Sequence, residues 1–183
     1  MRFRGFIAID VDVLPKLVEL ENEIKKTGAN IKLVEPENIH ITLKFLGDTE
    51  EAQINEIEEI MKKSIKEIDP FKIKFKNVGV FPNERYIKVI WIGIKNGEQI
   101  QIIAEKINKV ISKLGFERDK RKFSPHLTIA RVKSAKNKEK ILQLIQKYRD
   151  LEFADIKIES IKLKKSELTA KGPIYTTLKE VSL

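Results

Sequence analysis

Apolar and polar positions repeat along this chain with two periods, and the period predicts most of its secondary structure. Apolar residues at helical spacing predict helices over residues 15–26, 50–67, 98–114 and 136–148. Alternation or short apolar runs predict strands over residues 3–10, 38–47, 71–80, 86–94, 122–132, 153–164 and 174–182. Helices interspersed with paired strands indicate an α+β fold with antiparallel sheets.

One short pattern occurs twice, nearly half the chain apart. Ile-His-Ile-Thr-Leu at residues 39–43 is echoed by Pro-His-Leu-Thr-Ile at residues 125–129. In the first strand, alternation places Ile39, Ile41, Leu43 and Phe45 on one face and His40, Thr42, Lys44 and Leu46 on the other. The repeat predicts two similar lobes within one domain spanning residues 1–183, each giving one strand to a shared cleft.

Charge and composition narrow the class of protein. The 36 Lys and Arg residues exceed the 27 Asp and Glu residues, giving a formal net charge of +9, which suits a polyanionic partner but equally well serves solubility. The absence of cysteine excludes disulfides, thiolate metal sites and cysteine nucleophiles. No apolar run is long enough to span a membrane, so we expect a cytoplasmic monomer without membrane association or an obligate protein partner.

The repeated pattern carries the candidate chemistry. His40 and His126 are the only histidines, and each has a threonine, Thr42 or Thr128, two residues later on the same strand face, about 6.5–7 Å away. Displacement at phosphorus needs one group to remove a proton and another to donate one. Imidazole, with a pKa of about 6.5, can do either, and hydroxyl groups can hydrogen-bond the non-bridging oxygens.

Three other interpretations of the histidines remain open. Each histidine can be a structural residue of its strand. A zinc site would need help from carboxylates, since no His-Glu-x-x-His spacing is present. A Ser-His-Asp triad could use Ser124 or Ser160, but it would leave the repeated threonine unexplained.

In these residues the chain resembles the two-histidine (2H) phosphoesterases, and among them the RNA 2′,3′-cyclic phosphodiesterases that are also called 2′-5′ RNA ligases. The resemblance rests on residues 6–9, 38–47, 79–83, 123–131 and 172–175. It implies two pseudo-symmetric lobes, each an antiparallel sheet with helices on its outer face, and an active-site groove between them. It also implies hydrolysis of the 2′,3′-cyclic phosphate at an RNA 3′ end to a 2′-phosphate, without metal or other cofactor.

The resemblance also implies residue roles. His40 would be the proton donor and His126 the proton acceptor, and Thr42 and Thr128 would hold the phosphate. Arg131 matches a family position near the phosphate or nucleoside. Simple alternation places it opposite His126, so it reaches the groove only if the strand ends or bulges there.

Phe6 matches a family aromatic residue that stacks on a base, although it lies in an apolar strand that also suits the core. A basic run beside the second motif, Arg118, Lys120, Arg121 and Lys122, either follows an RNA backbone or is a solvated loop. Trp91 and Tyr86 are interpreted as core or sheet-face residues. Three alternative functions stay open: 2′-5′ ligation in the same groove, hydrolysis of a small cyclic nucleotide or an ADP-ribose cyclic phosphate, and RNA binding without catalysis.

Overall fold

The computed structural model describes residues 1–170 and 172–183 and has two antiparallel sheets. The strands are β1 (Arg2–Asp10), β2 (Ile31–Leu33), β3 (His40–Glu50), β4 (Phe71–Asn83), β5 (Tyr86–Lys95), β6 (His126–Val132), β7 (Glu152–Ile158), β8 (Ser160–Leu168) and β9 (Pro173–Ser182). The first sheet has the order β3-β1-β8-β9, and the second has the order β2-β6-β5-β4-β7.

The helices pack in two pairs on the two sheets. They are α1 (Pro15–Lys26), α2 (Ile54–Ile65), α3 (Glu98–Ile111) and α4 (Lys138–Tyr148), with short 3-10 turns at Pro36–Asn38, Glu51–Gln53 and Ser112–Leu114. Helices α2 and α3 contact each other and the first sheet, while α4 contacts α1 and the second sheet. Each helix buries one stripe of Ile and Leu residues. The α+β prediction is therefore confirmed.

The two sheets follow a common plan that positions the two motifs. Strands β3-β1-β8-β9 of the first sheet correspond to β6-β5-β4-β7 of the second. His40 is the first residue of β3 and His126 is the first residue of β6. These two strands also contact each other. Strands β3 and β6 thus bring the repeated motifs to the junction of the sheets.

The predicted single strand over residues 153–164 is wrong. The structure divides it at Glu159 into β7 of the second sheet and β8 of the first. Buried positions change parity between Ile158 and Ile161, so the two segments are one residue out of phase. Strand β2, which has three residues, was not predicted because it is too short to show a period.

In the part of the chain that the structure describes, no helix has both the length and the apolar character needed to cross a bilayer.

Candidate active site

The two motif strands open onto one groove of about 410 Å³. Every site residue predicted from the sequence lines it: His40, Thr42, His126, Thr128, Arg131 and Phe6. The other lining residues come from β1, β2, β3, β8, β9 and the segments that connect them, and include Arg4, Phe45 and Tyr175. The groove therefore depends on both sheets, as expected for a cleft between two lobes.

Both histidines are held in the same tautomer by the same backbone interaction. Nδ1 of His40 lies 2.7 Å from the carbonyl oxygen of Asn38, and Nδ1 of His126 lies 2.8 Å from that of Ser124. A carbonyl oxygen can only accept, so Nδ1 carries the proton and donates it in both rings. In each neutral ring Nε2 is then the basic nitrogen.

His40 is enclosed by aromatic rings. Its ring centroid lies 5.0 Å from that of Phe6 and 5.3 Å from that of Tyr175, which meets it nearly edge-on at 88°. Phe6 itself is only 4% exposed. Burial lowers the pKa of His40 below its usual 6.5; the nearby charges of Lys164 and Arg131 add to this, against the hydrogen bond to Asn38 and the charge of Asp10.

A carboxylate with two lysine partners lies behind His40. Asp10 is paired with His40 across β1 and β3 and accepts hydrogen bonds from Lys164 and Lys162. Burial raises the pKa of Asp10, but the two lysines outweigh it and hold that pKa below 3.8. Asp10 therefore stays ionised at neutral pH.

His126 is supported by a different set of aromatic rings. Its ring meets that of Phe81 edge-on at 5.1 Å and 83°, and Phe81 lies 5.1 Å from Trp91. The Trp91 ring packs directly on Gly79, where an added Cβ would come within 2.3 Å of a ring carbon. Only glycine leaves room for the indole there, so Gly79 allows Trp91 to pack beneath Phe81, which contacts His126.

A bulge in each motif strand changes which side chains face the groove. In β6, Thr128 pairs with Trp91 and Ala130 with Ile90, so Ile129 is the extra residue. Alternation shifts by one position after the bulge, and Arg131 faces the groove together with His126. The condition that the sequence set for Arg131 is thus met.

The same bulge occurs in β3. Thr42 pairs with Ala8 and Lys44 with Ile7, which leaves Leu43 as the extra residue. Phe45 consequently lines the groove with 52% of its surface exposed, while Lys44 is buried. The predicted faces of Phe45, Lys44 and Leu46 are therefore wrong, because strict alternation holds only up to Leu43.

Sequence reasoning gave no role to several other groove residues, among them Phe45, Arg4 and Tyr175. Phe45 lies five residues after His40, as Arg131 lies five after His126, and this spacing could have identified it. The guanidinium of Arg4 lies 5.5 Å from the centre of the Phe45 ring. Tyr175 lies in segment 172–175, which contributes to the family resemblance, but its contact with His40 depends on the pairing of distant strands.

The basic loop beside the second motif is anchored to the first sheet. The Lys44 side chain is 1% exposed, and its Nζ donates to Asp119 Oδ2 at 2.8 Å, to the Glu117 carbonyl at 2.7 Å and to Asn108 Oδ1 at 3.1 Å. Residues 117–124 form one wall of a second groove of about 1100 Å³, which meets the first at His126 and Phe45.

Among residues 1–170 and 172–183, no three or more His, Asp or Glu side chains lie close enough together to hold a metal ion. His126 is bonded to the backbone carbonyl of Ser124, and the Ser160 hydroxyl donates to Glu180. Neither serine is therefore hydrogen-bonded to a histidine as a Ser-His-Asp triad requires.

Fold and site together define a two-histidine phosphoesterase: two matched antiparallel sheets, each contributing a His-x-Thr strand to a shared groove. Residues 6–183 match the family model of the AKAP7 2′5′ RNA ligase-like domain, and the chain belongs to that family. This agrees with the resemblance found in the sequence.

Relatives give the same assignment, and a solved structure has the same fold. The chain is 44% identical to an RNA 2′,3′-cyclic phosphodiesterase of Methanocaldococcus jannaschii, covering 97% of this chain and 99% of the relative. It is 38% identical to one of Methanothermobacter thermautotrophicus, covering 97% of each. The crystal structure of E. coli LigT complexed with 3′-AMP has the same fold, with a TM-score of 0.73, 20% identity, and coverage of 100% of this chain and 99% of that one.

Proposed function

We propose that this protein hydrolyses the 2′,3′-cyclic phosphate at RNA 3′ ends and leaves a 2′-phosphate. The observation that carries the proposal is the pair of imidazoles in one groove, each with Nδ1 donating to a backbone carbonyl. The names of relatives that match nearly the whole chain support the substrate. We place the protein in the cytoplasm, acting as a monomeric, single bilobal domain.

In the proposed mechanism, Nε2 of His126 accepts a proton from water as its oxygen attacks phosphorus. The bond from phosphorus to the 3′ oxygen breaks on the opposite side, and protonated His40 donates its Nε2 proton to that oxygen. The family resemblance assigns the two roles. Because its pKa is lowered, His40 is a strong acid once protonated, and the charge of a bound phosphate favours that protonated form.

The remaining groove residues hold the substrate. The hydroxyl groups of Thr42 and Thr128 donate to the non-bridging phosphate oxygens, and the guanidinium of Arg131 neutralises their charge. Phe6 packs against His40 with 4% of its surface exposed, so its main contribution is to hold the imidazole in place. Stacking of Phe6 on a base stays a prediction.

The test is incubation with an RNA oligonucleotide that ends in a 2′,3′-cyclic phosphate, in the presence of EDTA. We expect a product with a 2′-phosphate; a 3′-phosphate, or loss of activity on chelation, would contradict the proposal. A parallel reaction with a 5′-hydroxyl RNA acceptor tests 2′-5′ joining. Turnover of cyclic mononucleotides alone would favour the small-molecule alternative, and RNA binding without turnover would favour the non-catalytic one.

A further inference from the structure

A third groove, which the mechanism does not use, continues from the active site beyond Arg131. It has a volume of about 350 Å³ and shares Arg131 and Lys133 with the catalytic groove. Its walls come from the start of β5, the end of β6 and the segment leading into α4. It therefore lies at the opposite end of β6 from His126 and the loop of residues 117–124.

The charge of this groove has one sign. Five basic residues line it: Arg85, Lys88, Arg131, Lys133 and Lys138. No Asp or Glu lines it among the described residues, and none of the five forms an ion pair with another described residue. Unpaired cations at this density favour a polyanion, because they release its counterions when it binds.

An exposed aromatic ring stands at the rim of the groove. Tyr86 is 62% exposed, and Nζ of Lys88 lies 5.1 Å from the centre of its ring. The turn between β4 and β5 is held by Asn83, whose side-chain oxygen accepts hydrogen bonds from the backbone N–H groups of Arg85 and Tyr86, at 3.0 Å each. An exposed aromatic ring among cations is the arrangement on which single-stranded nucleic acids stack their bases. Of the two positions considered for Tyr86 from the sequence, core or sheet face, this exposure excludes the core.

The groove on the other side of the active site is less suited to a polyanion. It contains Arg118, Lys120, Arg121 and Lys122, but also the carboxylates of Glu105, Glu117 and Asp119. Asp119 is already paired with Lys44. The carboxylates of Glu105 and Glu117 remain, and they line the same groove as the four basic side chains. The mixed charge there weakens the attraction for a phosphate backbone.

We propose that the groove lined by Arg85, Tyr86, Lys88 and Lys138 holds the body of the RNA strand whose cyclic phosphate lies between His40 and His126. This inference rests on the proposed function and adds to it the path of the polymer. Arg131 would then lie where the path enters the catalytic groove. A cyclic mononucleotide would not reach the third groove, so only longer substrates would gain from it.

The test compares two triple variants with equal change in net charge. R85E/K88E/K138E reverses the charge of three side chains in the third groove, and K120E/R121E/K122E reverses the charge of three side chains in the loop beside His126. Each is assayed on a cyclic mononucleotide and on an RNA of about ten nucleotides that ends in a cyclic phosphate. Thermal melting confirms that both are folded.

We expect the groove variant to keep its kcat/KM on the mononucleotide within about twofold and to lose about 10- to 100-fold on the oligonucleotide. For this variant, the slope of log kcat/KM against log salt concentration should become shallower by about 2. Each phosphate contact to a single strand contributes about 0.7 to that slope, and the variant removes three cations. The loop variant should change the oligonucleotide rate by less than about threefold. Tyr86→Ala, which changes no charge, should also slow only the oligonucleotide.

Equal losses in both triple variants would show a general charge effect and overturn the inference, as would a loss confined to the loop variant. Wild-type protein that hydrolyses neither substrate would instead refute the proposed function. Wild-type activity on both substrates, with the groove variant unimpaired, would refute the path alone.

Discussion

The two halves of the active site share a backbone and differ in their surroundings. Each presents a histidine, a threonine and, after a one-residue bulge, a third groove-facing side chain. His40 lies between Phe6 and Tyr175, whereas His126 meets one ring, Phe81, and borders the wide groove of the basic loop. The repeated strand therefore fixes the geometry of the two imidazoles, while the unrepeated surroundings bury His40 and lower its pKa.

The largest effect should come from removing either imidazole. His40→Ala and His126→Ala should each lower kcat on a cyclic-phosphate RNA by about 10²–10⁴, the range of a positioned acid or base. The double variant should lose less than the product of the two, since the groups act as a unit. A variant of either histidine with wild-type turnover would show that the halves are not catalytic partners.

The next largest effects should come from Arg131 and Phe45, the residues that follow the two bulges, and they should differ between the two halves of the site. Arg131→Ala should lower kcat/KM by roughly 10- to 100-fold, because it removes a charged hydrogen bond to phosphate. Phe45→Ala, at the matching position of β3, should cost less than about tenfold, since it removes a half-exposed ring and no charge. Steady-state kinetics on one cyclic mononucleotide measures both, and equal losses would contradict the comparison.

The aromatic rings that support His126 can be displaced by a substitution at Gly79, on which the Trp91 ring packs. Gly79→Ala forces a Cβ against Trp91, so we expect a loss of stability of about 1–3 kcal/mol and a severalfold lower kcat. Gly5→Ala is the matched control, because its added Cβ would meet Thr49 Oγ1 at 2.7 Å and not the rings that support His126. Thermal melting and kcat at low temperature should show lower stability in both variants and lower kcat only in the first.

The smallest expected effect is a titration shift. Because burial lowers the pKa of His40, its ring should remain neutral until the pH falls below 6.5. Proton NMR of the two imidazoles measures this, with His126→Ala providing the assignment. Tyr175→Ala should move the midpoint of His40 upward by exposing the ring. A midpoint at or above 6.5 in the wild-type protein would contradict the enclosed environment.

The sequence was sufficient to predict both motif strands, the pairing of His40 with Thr42 and of His126 with Thr128, and the shared groove. Local periodicity carries this information, and the repeat connects the two halves. It was insufficient for Phe45 and Lys44, since a bulge at Leu43 leaves no mark on the alternation of residue types. The contact between Tyr175 and His40 could not be predicted either, because β9 reaches His40 only through the pairing of strands far apart in the chain.

The interleaving of the two sheets has a consequence for synthesis on the ribosome. The second sheet draws all its strands from residues 31–158, whereas the first joins β1 and β3 to β8 and β9 from the end of the chain. The first sheet must therefore wait for the last strands to emerge, and with them Tyr175, which encloses His40. A nascent chain that lacks β8 and β9 would carry both histidines and still be inactive, so catalysis would begin only after β9 has been synthesised.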